Sequence, residues 1–166
     1  MYYFTGNNAM FPDNLNPLPH WKDRLHTDNE AEAWKWSEEL QIGEALYGQW
    51  RQVFGLVMAF AENLPEEEDE VLSTKSMIYQ NAYVVAPKIF SASGDTLYMI
   101  KMENAALIRF NCRQMMEQIG FAVLMDKADE RHKEVIDEAL ETFKQYFRQW
   151  VATFKKDSFE DEWGLF

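Results

Sequence analysis

Apolar residues recur along this chain in alternating steps of three and four. From Trp36 through Leu40, Gly43, Tyr47, Trp50, Phe54 and Val57 to Ala61 they trace a heptad seam. A second stripe, Ile42, Leu46, Val53 and Phe60, widens the buried arc, as suits a helix that touches two neighbours. The spacing predicts a first long helix that starts at a capping box, Thr27 to Glu30. It ends before Pro65, whose ring cannot continue the hydrogen-bond ladder.

The next pattern opens on the acidic run Glu66 to Glu70, which complements the positive end of a helix dipole and reads as a helix start. Its face is Leu72, Tyr79, Ala82, Ala86 and Ile89, with Val71, Ile78 and Val85 alongside. Pro87 is expected to kink or end this helix, because it removes one amide donor and crowds the carbonyl of Tyr83. Ser91 to Asp95 then reads as a stop, a turn and a new N-cap. A third helix is predicted over 96–125, weakened near its end by Gly120. A fourth follows Asp126 to Asp129, with Asp129 as its cap, and runs to near Asp157. It turns Ile136, Ala139, Phe143, Tyr146, Trp150 and Thr153 inward, and Glu134, Asp137, Glu141, Lys144 and Arg148 outward.

Four long helices with short connections predict an all-α chain, an antiparallel up-and-down four-helix bundle. The organisation expected is a single domain, with an extended arm over 1–28, the bundle over 29–157 and an acidic, aromatic tail over 158–166. Tyr2, Tyr3, Phe4, Phe11 and Trp21 make the arm too apolar for a free tail, so it is expected to lie against the body.

Composition narrows the functions open to such a fold. With 28 acidic against 16 basic residues the net charge is −12, a field that repels phosphate backbones, and no basic patch offsets it. Nucleic acid is therefore not an expected partner. The first residues carry neither a basic stretch nor a continuous apolar core, so no signal peptide is read there. The longest apolar run, Val53 to Ala61, falls well short of the ~18 residues a membrane span requires. A soluble, cytoplasmic protein is expected.

Metal and covalent chemistry find little support. A carboxylate-bridged di-metal centre needs paired Glu-x-x-His motifs on facing helices. Of the three histidines only His132 falls in a predicted helix, and Asp129, three residues before it, is better explained as a cap. His132 itself reads as a half-buried residue at the bundle end. Cys112 is the lone cysteine, with no base or helix start in sight to activate it, so it reads as a small buried hydrophobe. No metal, cofactor or catalytic residue is assigned.

The least ordinary feature is a polar line on the third helix. Lys101, Asn104, Asn111 and Gln118 share the inward arc with Ile108, Met115, Ile119 and Ala122, and Lys75 stands one turn before Tyr79 on the second helix. A buried unpaired amide costs about 1–3 kcal/mol, so these groups must be paired, bridged by water, or open to something else. Three readings remain open: a network with tyrosine hydroxyls (Tyr47, Tyr79, Tyr83, Tyr146), a homodimer seam, and a pocket in which Lys101 and Lys75 neutralise an anion. A smooth strip at Gly48, Gly55 and Ala59 is expected to receive a close neighbour, and Trp163, Leu165 and Phe166 are expected to dock on the same chain or on a second copy. The leading function on these grounds is a non-enzymatic interaction module that self-associates or docks a protein partner. The alternative is a bundle that binds an anionic small molecule along the third helix.

Overall fold

Each predicted apolar seam needs a neighbour to cover it, and helices supply every neighbour. The structure, a computed structural model, describes residues 16–24, 37–66, 73–94 and 97–165. The described elements are helices: α1 (Trp21–Arg24), α2 (Ser37–Glu62), α3 (Thr74–Gly94), α4 (Tyr98–Leu124) and α5 (Glu130–Ala152). The four long ones pack in a cycle of neighbours, α2 on α3, α3 on α4, α4 on α5 and α5 back on α2. This is the all-α bundle that the heptad spacing requires. The capping box at Thr27, together with Trp36, Val71, Leu72 and the aromatic residues before Asn16, lies outside the described residues.

The core is where the predicted stripes place it. Tyr47, Trp50, Phe54, Val57 and Ala61 are buried from the first stripe of α2, and Leu46, Val53 and Phe60 from the second. Ile78, Ala82, Val85, Ala86 and Ile89 bury the face of α3, and Ile108, Met115, Ile119 and Ala122 that of α4. On α5 the buried set is Ile136, Leu140, Phe143 and Trp150; Ala139, Tyr146 and Thr153 are only half-buried, because the inward arc is rotated towards Leu140. Aromatic rings link the layers: Trp50 meets Phe143 at 5.4 Å between centroids, and Trp150 meets Phe154 edge-on at 4.7 Å.

Several boundaries differ from the sequence expectation. Of the acidic run only Glu66 is described, outside any helix, and residues 67–70 lie outside the described residues; α3 starts at Thr74 after Ser73, whose hydroxyl accepts the Ser76 amide at 3.1 Å. A side chain that takes up an orphan amide directly is a stronger start signal than a run of charge. Pro87 neither ends nor replaces the helix, which runs on to Gly94. Its ring lies on the exposed face, where water can take up the freed carbonyl of Tyr83. α5 stops at Ala152 rather than near Asp157, since Phe154 turns back onto Trp150. His132 is exposed and not half-buried, because α5 begins beyond the edge of the core.

The described part of the arm lies against the body, as its aromatic content requires, but it is not extended throughout. Trp21 opens the short helix α1, stacks on Phe90 at 5.0 Å and leans on Tyr47 at 5.6 Å. The Tyr47 hydroxyl donates to the Pro19 carbonyl at 2.6 Å, and the Asn16 amide donates to the Arg51 carbonyl at 2.9 Å.

A close approach that the sequence did not single out occurs at Gly43. A methyl group on Gly43 would stand 3.3 Å from both Ser93 Oγ and the Trp21 ring, and 3.6 Å from Trp150 Nε1. Among the described residues nothing lies within 4 Å of a methyl group placed on Gly48. Gly48→Ala should therefore raise stability by about 0.5–1 kcal/mol through helix propensity alone. Gly43→Ala should lose that gain to crowding. Urea unfolding of the two variants checks the contrast, and equal gains would remove the packing argument.

Candidate functional site

The polar line of α4 is not one site. Lys101 is buried and pairs with Glu39 at the start of α2, at 2.5 Å, with its ammonium also 5.6 Å from the centre of the Phe154 ring. Asn104 is buried too, but its amide donates to the Ile100 carbonyl at 2.8 Å, and the half-buried Asn111 donates likewise to Leu107. Both use the carbonyl one turn back in their own helix rather than the tyrosine hydroxyls expected from the sequence. That carbonyl is always within reach and needs no tertiary precision. Gln118 is half-buried further along.

Lys75 stands apart from all of these. It pairs with Glu62 at 3.2 Å, and the Tyr79 hydroxyl donates to the same carboxylate. Glu39 and Glu62 lie near opposite ends of α2, about 35 Å apart at 1.5 Å per residue, so Lys75 and Lys101 do not converge on a common anion. The hydrogen bond from Tyr79, with Lys75 adding to it, holds the Glu62 carboxyl below its usual range. Burial and then the bond to Glu62 push the Tyr79 phenol up.

α4 begins without a side-chain cap of its own, at Leu97. Asp157, from beyond α5, supplies one: its carboxylate accepts the Tyr98 amide at 2.8 Å and the Phe159 amide at 2.9 Å. These two amides hold the Asp157 carboxyl below its ordinary value. A depressed carboxyl stabilises the fold above its unfolded value, about 4, and the contribution is lost as pH falls through the folded value. The tail thus leaves the bundle at a fixed point. Beyond it Asp161 accepts the Leu165 amide, and Trp163 and Leu165 stand 79% and 70% exposed. Neither lies within 4 Å of the Cβ position of Gly48, and Phe166 lies outside the described residues.

Two features of α4 were not read from the sequence. The first is a groove of about 270 Å³ between α4 and α5, walled by Ile108, Cys112, Met116, Leu140, Phe143 and Phe147. Arg109, Arg113 and Lys144 stand along it with Glu117. Burial pushes the Cys112 thiol up to about 12, so this wall offers no nucleophile at neutral pH. The signal lay in Arg109, Arg113 and Met116, spaced one turn apart beside the core arc.

The second is the outer face of α4. Leu107, Phe110, Phe121 and Leu124 are exposed, Phe110 at 58% and Leu124 at 78%, and Met125 extends the face. Between them Gln114 donates to Glu117 at 3.0 Å on the same helix. A helix apolar on both faces has more to bury than its own bundle covers.

Among the described residues no three His, Cys, Asp or Glu side chains are grouped to hold a metal ion, and no helix is long and apolar enough to cross a membrane. No family model, curated protein or solved structure matches the chain.

The Lys101 pair gives a direct test. Glu39→Ala leaves a buried ammonium unanswered and should cost about 3–5 kcal/mol, while Glu39→Leu combined with Lys101→Met should recover most of the loss. Denaturant unfolding measures both. Simple additivity of the Glu39 and Lys101 single-variant losses would show that the two charges do not depend on each other.

Proposed function

We propose that this chain is a non-enzymatic, cytoplasmic interaction module that works by self-association or by docking a protein partner, and that it does not bind nucleic acid. The observation that carries this reading is the outer face of α4, where four large apolar side chains stand in water along one helix. Two exposed apolar pairs on one helix face, with a polar pair between them, suit a contact surface. The exposed Trp163 and Leu165 add a second apolar element at the end of the bundle. Sedimentation velocity over a wide concentration range tests the reading. The full chain should shift towards a larger species as concentration rises, or retain a partner on co-purification, and Phe110→Ser should abolish either behaviour while leaving helix content intact. A chain that stays monomeric, and whose partner capture is indifferent to Phe110→Ser, defeats it.

One observation favours a second reading, an anionic ligand held by the bundle. Three cations line the apolar α4–α5 groove in a chain of net charge −12. Apolar walls with a positive margin suit an amphipathic carboxylate, with its chain in the groove and its head at Arg109, Arg113 or Lys144. The support has therefore moved from the polar line to the opposite flank of α4. A medium-chain fatty acid, decanoate, serves as probe. At a hundred times its dissociation constant it adds about 2.7 kcal/mol of stability, and Arg113→Gln should weaken that shift. No thermal shift at millimolar decanoate counts against the groove as a ligand site.

A further inference from the structure

The order of residues along the outer face of α4 is symmetric. Read forward it is Leu107, Phe110, Gln114, Glu117, Phe121, Leu124, in steps of three and four, and reversal exchanges leucine with leucine, phenylalanine with phenylalanine, and Gln114 with Glu117. All six positions lie on one side of the helix, away from the core arc, and all except the half-buried Gln114 are exposed. A two-fold contact pairs residue i of one copy with residue j of the other and j with i, so each position must complement its mirror position, as leucine with leucine, phenylalanine with phenylalanine and an amide with a carboxylate do.

We infer that the occupant of this face is a second copy of the chain, paired through α4 against α4 in antiparallel register about a two-fold axis between Met115 and Met116. This rests on the self-association reading above and specifies its geometry. In that register Leu107 meets Leu124 of the partner copy and Phe110 meets Phe121, at both ends of the seam. Gln114 meets Glu117 twice across the axis, so each side-chain amide can donate to a carboxylate of the other copy. A polar pair near the centre of an apolar seam fixes register, because sliding by one turn strands the carboxylate against phenylalanine. Pairing would bury on the order of 1,000 Å² in total, the lower end for a specific interface, so the dimer is a reversible one. Two chains of net charge −12 repel each other, and salt should therefore tighten the contact.

Charge at position 114 tests the register in the full-length protein. Gln114→Lys places an ammonium opposite Glu117 of the partner in antiparallel pairing, and opposite another ammonium in parallel pairing. Gln114→Glu sets carboxylate against carboxylate. Sedimentation equilibrium should show the dimer dissociation constant falling about threefold or more for Gln114→Lys and rising as much for Gln114→Glu. A mixture of Gln114→Glu with the double variant Gln114→Lys/Glu117→Lys should form heterodimers in preference to either homodimer. Both sites are on the surface, and circular dichroism confirms that the fold is unchanged. If the wild-type chain dimerises but ignores these charges, or if Gln114→Lys weakens it, the antiparallel register is overturned while self-association stands. If the wild-type chain is monomeric at every concentration, the second copy is overturned as occupant. The face then belongs to a foreign helix or to another segment of this chain, and a Phe110-dependent partner would still uphold the wider reading.

Discussion

A buried ammonium organises one end of this molecule. Lys101 lies where the starts of α2 and α4 come together, and the cost of leaving its charge unanswered far exceeds that of any nearby surface pair. Glu39 answers it, and Phe154 offers its ring to the same ammonium. Because Phe154 follows α5, the charge gathers α2, α4 and the chain leaving α5 around one point. Asp157, three residues further on, then caps α4 at Tyr98. The ion pair ties the start of α2 to the start of α4 across the bundle, Phe154 lies beside it, and Asp157 caps α4. The tail is consequently anchored at Asp157 and presents Trp163 and Leu165 outward.

The opposite problem governs the middle of α4. Its inner arc is covered by α3 and the core, whereas towards α5 it leaves a groove, and away from the bundle it carries Phe110 and Phe121 in water. Burying a large apolar side chain is worth about 1.5–3 kcal/mol, so a monomer forgoes several such contributions along this one helix. Soluble domains rarely keep so much apolar surface in one strip unless something covers it part of the time.

The fold was legible in the sequence because core burial is set by period, and period survives without knowledge of partners. Every buried residue of the two α2 stripes within the described chain was named by spacing alone. The polar line was less legible, since the same residues on the same arc admit several pairings. Lys101 found a carboxylate distant in sequence, which spacing cannot locate, while Asn104 and Asn111 took the local carbonyl. The glycines were legible as small positions but not as contacts. Glycine marks a permissible close approach, but only the neighbours decide that Gly43 uses it and Gly48 does not.

The outer face of α4 is also written in the sequence. Attention to the inward arc treats the remaining positions as solvated, yet Leu107, Phe110, Phe121 and Leu124 keep a heptad of their own on the other side. In most amphipathic helices the second heptad is polar, so one stripe suffices to orient the helix. Here two stripes compete, and the sequence does not say which faces the core. In the structure isoleucine, methionine and alanine of α4 are the buried stripe. The larger rings are left outside, separated by Gln114 and Glu117, a polar pair that costs nothing in water. In a dry contact that pair would be tolerable only opposite its own complement. The second copy proposed above would supply that complement, since in antiparallel register it sets Glu117 opposite Gln114.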